Sequence, residues 1–279
     1  MSQAPTIQLP RSLARPDYTE VSKAALQSIA PELADVPLGY IRWSLRLQQA
    51  QMTEGLNALV PSHTPNYLPK THLPSHLTIP LHHSYPSSVA PAYPTHALAV
   101  SSGFDPTNSE PYALIIPIHS LVLIAHCARL PTLPFDGSVC HESPSRVRIP
   151  VITIVLPSPR GFPILLKFLY THSLESVLRS LVSLPSAQQS LGLSHETVLQ
   201  IMNSPSTLRQ LAQDHCERSN YNMQMLTTQA AHVKDFWPDV VALGVNDMAL
   251  WDTLDLAWEV VLGAMNICAW TVDGSMMIP

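Results

Sequence analysis

Glycine and charge are what this sequence has least of. Nine glycines in 279 residues fall singly, so neither the GxGxxG of a dinucleotide fold nor the GxxxxGK of a phosphate loop can be written, and nucleotide-dependent chemistry is disfavoured. No GxSxG occurs either, which removes the strained nucleophile elbow of the α/β-hydrolases. Lys, Arg, Asp and Glu make up 13% of the chain, about half of the ~25% usual in soluble domains, so few charges remain to solvate a surface. Their balance is −5, and an acidic chain lacks the basic footprint of a general nucleic-acid binder. No direct nucleic-acid contact is expected. The four cysteines, Cys127, Cys140, Cys216 and Cys268, have no CxxC spacing and read as reduced thiols. The longest apolar run, 112–128, is broken by Pro117, His119 and His126 and is shorter than the ~20 residues of a spanning helix. The first residues lack the apolar core of a signal peptide. A soluble intracellular protein with no membrane contact is the expectation.

Proline is the excess: 27 residues of 279, about twice the usual ~5%. Prolines without glycines give stiff, extended connections. Residues 1–18 carry Pro5, Pro10 and Pro16 and read as a flexible tail. Residues 19–60 read as two N-terminal helices, the first with Asp17 or Thr19 as its cap and Pro31 as its stop. The second carries Ile41, Leu45, Gln48, Met52 and Leu56 on one stripe. Periodicity then disappears over 61–96, where eight prolines from Pro61 to Pro94 stand among Ser, Thr and six histidines (His63, His72, His76, His82, His83, His96). That composition predicts a linker or a loop wrapped over a surface.

From 97 to 185 short β-branched runs (97–100, 112–118, 151–156) alternate with apolar helical stretches (120–130, 164–170, 174–184), the order of a compact α+β unit. Residues 186–270 read as helical: one stretch over 206–236, ended or kinked by Pro238, and a last helix with Leu254, Trp258 and Met265 on one stripe. Residues 271–279 read as a frayed tail.

Candidate chemistry is sparse. His72 and His76 have the i, i+4 spacing of a helical metal pair, but Pro74 between them breaks the helix that would align the rings, and a solvated His-rich loop is the better reading. Cys140 and His141, with His126 and Cys127 upstream, form a second set whose adjacent ligands seldom point at one ion. Asp252, Asp255 and Glu259 share one helical face, by the geometry of i, i+3, i+4 neighbours. A solvated acidic surface suits that register better than a catalytic pair. Four of the five tryptophans stand at or after Trp237. Indoles at helical spacing are mostly core, and the alternative is an anchor for a partner.

Three stretches resemble known families. His119-Ser-Leu-Val-Leu-Ile-Ala-His-Cys127 and Phe162-Pro-Ile-Leu-Leu-Lys-Phe-Leu-Tyr170-Thr-His-Ser-Leu174 are similar to the two motif halves of the BTB/POZ fold, with Cys127 in place of the usual Ser and His172 in place of Gly. The string Phe236-Trp-Pro-Asp-Val-Val-Ala-Leu-Gly-Val-Asn-Asp-Met-Ala-Leu-Trp251-Asp-Thr-Leu-Asp-Leu-Ala-Trp258 resembles the clampless-type regulators of mushroom-forming and smut fungi. The resemblances imply a small BTB/POZ-like core flanked by helices, in a non-enzymatic regulator of mating and clamp-cell development in the nucleus and cytoplasm. They also imply protein partners, such as a transcription factor, and a homodimer. No cofactor is expected. The expected partner surface is Asp252, Asp255 and Glu259 with Trp251 and Trp258. The competing reading is a hydrolase or metal-dependent enzyme whose His, Cys and Asp residues converge from distant segments.

Overall fold

Alternating strand and helix signals give a mixed fold of the α+β class. The structure, a computed structural model, describes residues 9–82, 89–103, 112–130, 140–143, 145–182 and 192–275. It divides into two units interleaved along the chain, one of residues 18–172 and 238–247, the other of residues 1–17, 173–237 and 248–279.

In the first unit a six-stranded sheet is built from β1 (Tyr67–Pro69), β2 (His76–Pro80), β3 (His96–Ser102), β4 (Tyr112–Ile118), β5 (Cys140–Ser143) and β6 (Arg146–Leu156), in the order β1-β4-β3-β6-β2, with β5 also on β6. β3 and β4 form an antiparallel pair, whereas β3 and β6 run parallel. β6 changes partner at Pro150. Its residues up to Pro150 pair with β2, and from Val151 onward it pairs with β3. A residue without an N–H suits that handover, because it cannot complete a ladder on either side. The central strand β3 is buried along His96–Val100. Its pleat sends Ala97 and Ala99 into a cluster with Leu59, Ile79, Ile115, Val147 and Ile149, and Leu98 and Val100 to the opposite face.

The helices of this unit are α1 (Lys23–Ile29), α2 (Leu38–Leu47), α3 (Gln49–Asn57), α4 (Ser120–His126) and α5 (Phe162–Thr171), and α4 touches α1, α2 and α5. Ser22 caps α1 by accepting the Ala25 N–H. The single helix expected over 37–59 is two, separated at Gln48. The stretch expected as linker or wrapping loop holds β1 and β2. It is also tied to the helices and their exit: Ala92 N–H donates to Gln51 O at 2.9 Å, His82 N–H to Ala58 O at 2.8 Å and Val60 N–H to Pro80 O at 3.0 Å. Gly55 is required at this seam, since a Cβ there would stand 1.6 Å from Ala92 O.

The second unit gathers α6 (Leu174–Leu181), α7 (His195–Met202), α8 (Pro205–Arg218), the first part of α9 (Met223–Leu243) and α10 (Met248–Ser275). Ser173, Ser194 and Ser204 cap α6, α7 and α8 by accepting the N–H three residues on, the device that satisfies orphan donors at a helix start. The one helix expected over 206–236 is broken by Asn220 and Tyr221, both at positive φ. Asn222 then restarts it by accepting the Gln224 and Met225 N–H groups. Pro238 lies inside α9, and the division between the units falls there. The last helix runs to Ser275, into the stretch expected to fray. It packs on α6, α7 and α8, with Gly263 facing α8 so closely that a Cβ would stand 2.8 Å from that of Ala212. Among the described residues no helix is long and apolar enough to cross a membrane.

Candidate partner-binding surfaces

The five residues singled out on the last helix separate into two layers. Trp251 and Trp258 are 2% and 1% exposed, so the indoles expected at a surface are core: they share the apolar stripe with Leu254, and burial of that stripe drives the packing of α10. Asp252 and Asp255 lie on the adjoining, partly exposed flank of the helix. There they meet a segment expected to be a flexible tail. Arg15 donates to Asp252 Oδ1 at 2.6 Å and also to Asp255. His195 Nε2 of α7 donates to the other oxygen of Asp252 at 2.6 Å. Burial works to raise the Asp252 carboxyl, but the His195 and Arg15 bonds outweigh it and hold the group below its ordinary range. Burial likewise opposes the Arg15 charge, and the two carboxylates outweigh it and raise its pKa.

The rest of the arm is seated by side chains. Leu13 is buried, the Trp258 indole donates to Pro10 O at 3.2 Å, and the Trp237 indole donates to Ala14 O at 2.8 Å.

Glu259 stands apart from this clip. With Arg209, Leu208, Ala212, Ile267 and Trp270 it lines a groove of about 500 Å³ between α8 and α10, at which Trp270 is 79% exposed. A second surface, in the other unit, was not singled out from the sequence. Tyr40, Trp43 and Leu47 project outward from α2, 59%, 52% and 65% exposed, while Ile41 and Leu45 face inward. The Tyr40 and Trp43 rings stand 5.4 Å apart. Their spacing i, i+3, i+7 is a stripe in the sequence, but it is overlaid there by the apolar stripe of Ile41 and Leu45 on the same helix.

Elsewhere in the first unit the stretches 119–127 and 162–174 meet. The His119 N–H donates to the Tyr170 hydroxyl oxygen at 2.8 Å, and the same hydroxyl lies 2.8 Å from His119 Nδ1. His119 Nε2 reaches Ala92 O at 3.0 Å. The set closes if Nε2 carries the imidazole proton and Tyr170 donates to Nδ1. Nearby, the His126 and His172 rings are 5.0 Å apart. His126 Nδ1 donates to Val122 O at 2.8 Å, and its Nε2 is buried without a partner. Burial pushes the Cys127 thiol up to about 12, so it stays protonated and inert. Of the two sets weighed for metal binding, His72 ends a 3-10 turn and His76 lies in β2, and the side chains of Cys140 and His141 lie outside the described residues. Among the described residues no group of three or more His, Cys, Asp and Glu is placed to hold a metal ion.

Comparison with curated proteins and with solved structures gives no match. Family models match twice and in order: the clampless protein 1 N-terminal domain over residues 16–157 and the clampless protein 1 C-terminal domain over residues 175–277. The first alone spans half of the chain. The chain belongs to the clampless protein 1 family, a family of fungal development regulators.

Proposed function

We propose that this chain makes and breaks no covalent bonds and regulates fungal mating and clamp-cell development, in the nucleus and cytoplasm, by binding other proteins. The observation that carries the reading is the α2 ridge: three large apolar side chains at i, i+3, i+7, each more than half exposed. A helix with such anchors fits an apolar groove in a partner, where Trp and Tyr contribute most because they bury much area with few rotatable bonds. A transcription factor is the partner class that the developmental role suggests. The family is not a known enzyme family, which supports the non-enzymatic part. A BTB/POZ-like centre belongs to the same proposal, supported by the order strand, strand, helix, strand, strand, helix from β3 to α5 and by the His119–Tyr170 bond.

The test is affinity capture from fungal nuclei with the wild-type chain and with Trp43→Ser/Leu47→Ser, read by quantitative mass spectrometry. Exposed positions of this kind change stability by about 0.5 kcal/mol or less, so melting should hold. A defined set of proteins should be lost from the variant; identical capture by both chains overturns the proposal.

A further inference from the structure

The arm of residues 10–15 is seated on α10 in the manner of a bound peptide. Its backbone is read at both ends, since the Trp258 and Trp237 indoles donate to the carbonyls of Pro10 and Ala14. Its side chains are read between them: Leu13 is buried, and Arg15 lies across Asp252 and Asp255, with His195 fixing Asp252 from behind. Carbonyl contacts read no side chain, and the apolar seat and the two carboxylates select what the segment carries. Pro10 and Pro16 bracket the arm and restrict its backbone, which bends at Arg11 and Ser12 between them.

We infer that this face of α10 is a peptide-recognition site occupied in cis by the chain's own arm, and that its partner is a peptide segment with an apolar residue two places before an arginine. The arm and the partner compete. Because the arm is tethered, its effective concentration is in the millimolar range for a short connection. A partner segment therefore enters when the arm is loosened or when the partner is itself held close by another contact. The site deepens the partner-binding reading and rests on it for its biological use, but its test needs only a synthetic peptide, so it fails independently of capture through the α2 ridge.

The probe is a fluorescein-labelled peptide of residues 9–17, titrated by anisotropy against the full-length chain. Arg15→Gln and Leu13→Ser, each introduced separately in the chain to loosen the arm, should bind it at least about tenfold more tightly than wild type, as removal of a tethered competitor requires. Adding Asp252→Asn and Asp255→Asn to either variant should weaken binding by about tenfold or more, and so should placing Ser at the Leu13 position of the peptide. Circular dichroism checks that each chain is folded, and two loosening variants guard against the loss of one. Folded variants that bind the peptide no better than wild type, or equal binding with and without the two carboxylates, overturn the inference.

Discussion

Arg15 and Asp252 are 237 positions apart in the chain and meet at 2.6 Å. The guanidinium also takes Asp255, and His195 takes the remaining oxygen of Asp252, so one carboxylate joins the arm, α7 and α10. This is a charged clip over an apolar floor.

Charges that are partly exposed are screened once the Debye length falls well below about 10 Å. Raising salt to about 1 M, where that length is about 3 Å, should speed amide exchange at residues 11–15 and leave α8 and α10 unchanged. Arg15→Gln at low salt should have the same local effect and cost about 1 kcal/mol or less. Exchange that is insensitive to both would show that Leu13 and the indole bonds alone hold the arm.

Tyr170→Phe removes one hydroxyl and leaves two buried groups of His119 without a partner, the main-chain N–H and Nδ1. An unsatisfied buried polar group costs about 1–3 kcal/mol, so the variant should unfold about 2–4 kcal/mol more easily in urea with an unchanged m-value. A loss below 0.5 kcal/mol, by the same criterion of burial cost, would mean that water reaches the site.

Burial holds His126 down to about 3 and His172 down to about 4, with the Arg42 and Arg46 guanidiniums lowering both further and Asp247 opposing the shift at His172. His119 is lowered by burial as well. In the unfolded chain these rings take up protons near 6.5, while in the folded chain they stay neutral, so the unfolded state binds more protons in between. Stability should be complete above about pH 7 and fall as pH drops from about 6.5 towards 4. Asp252 acts in a lower window, with its contribution present above the ordinary 3.8 and lost below it. Melting curves from pH 7.5 to 4.5 should show the decline, and His126→Leu should flatten it; an equal slope in the variant would place the proton uptake elsewhere.

Gly55→Ala puts a methyl group 1.6 Å from Ala92 O, a main-chain atom that cannot rotate away. Separation of α3 from the 89–95 segment follows, at a cost of about 3 kcal/mol. Thermal melting measures the loss, and a Tm within a degree of wild type would mean that the seam opens without penalty.

What the sequence disclosed depended on how local each signal was. The stripe of Leu254 and Trp258 stood out because burial repeats every third or fourth residue, and it marked α10. The strands at 96–102 and 112–118 were visible for a similar reason, as short apolar runs bounded by proline or turn residues. β1 and β2 were hidden because Pro69 and Pro80 close them, and prolines every few residues suggested an unpaired chain. The break at Asn220 and Tyr221 lay within an apolar rhythm that continued across it, so the periodicity passed over the turn. Arg15 was beyond reach of any window: its partners stand more than 230 positions away, and its neighbours show only proline and mixed polarity. His172 shows the reverse. It is left-handed, φ 49°, at the end of α5, a helix-end conformation that favours glycine.

The sheet unit is completed by a short piece of chain that arrives late. Ala128 and Arg129 donate their N–H groups to Gly244 and Leu243, and Cys127 bridges Val245, while the helical unit waits for α10 before the arm can settle. On a ribosome, neither half can reach its final form until nearly the whole polypeptide has emerged. Deleting the C-terminal quarter would thus strip both halves at once, so this molecule is to be dissected by single substitutions and not by cutting.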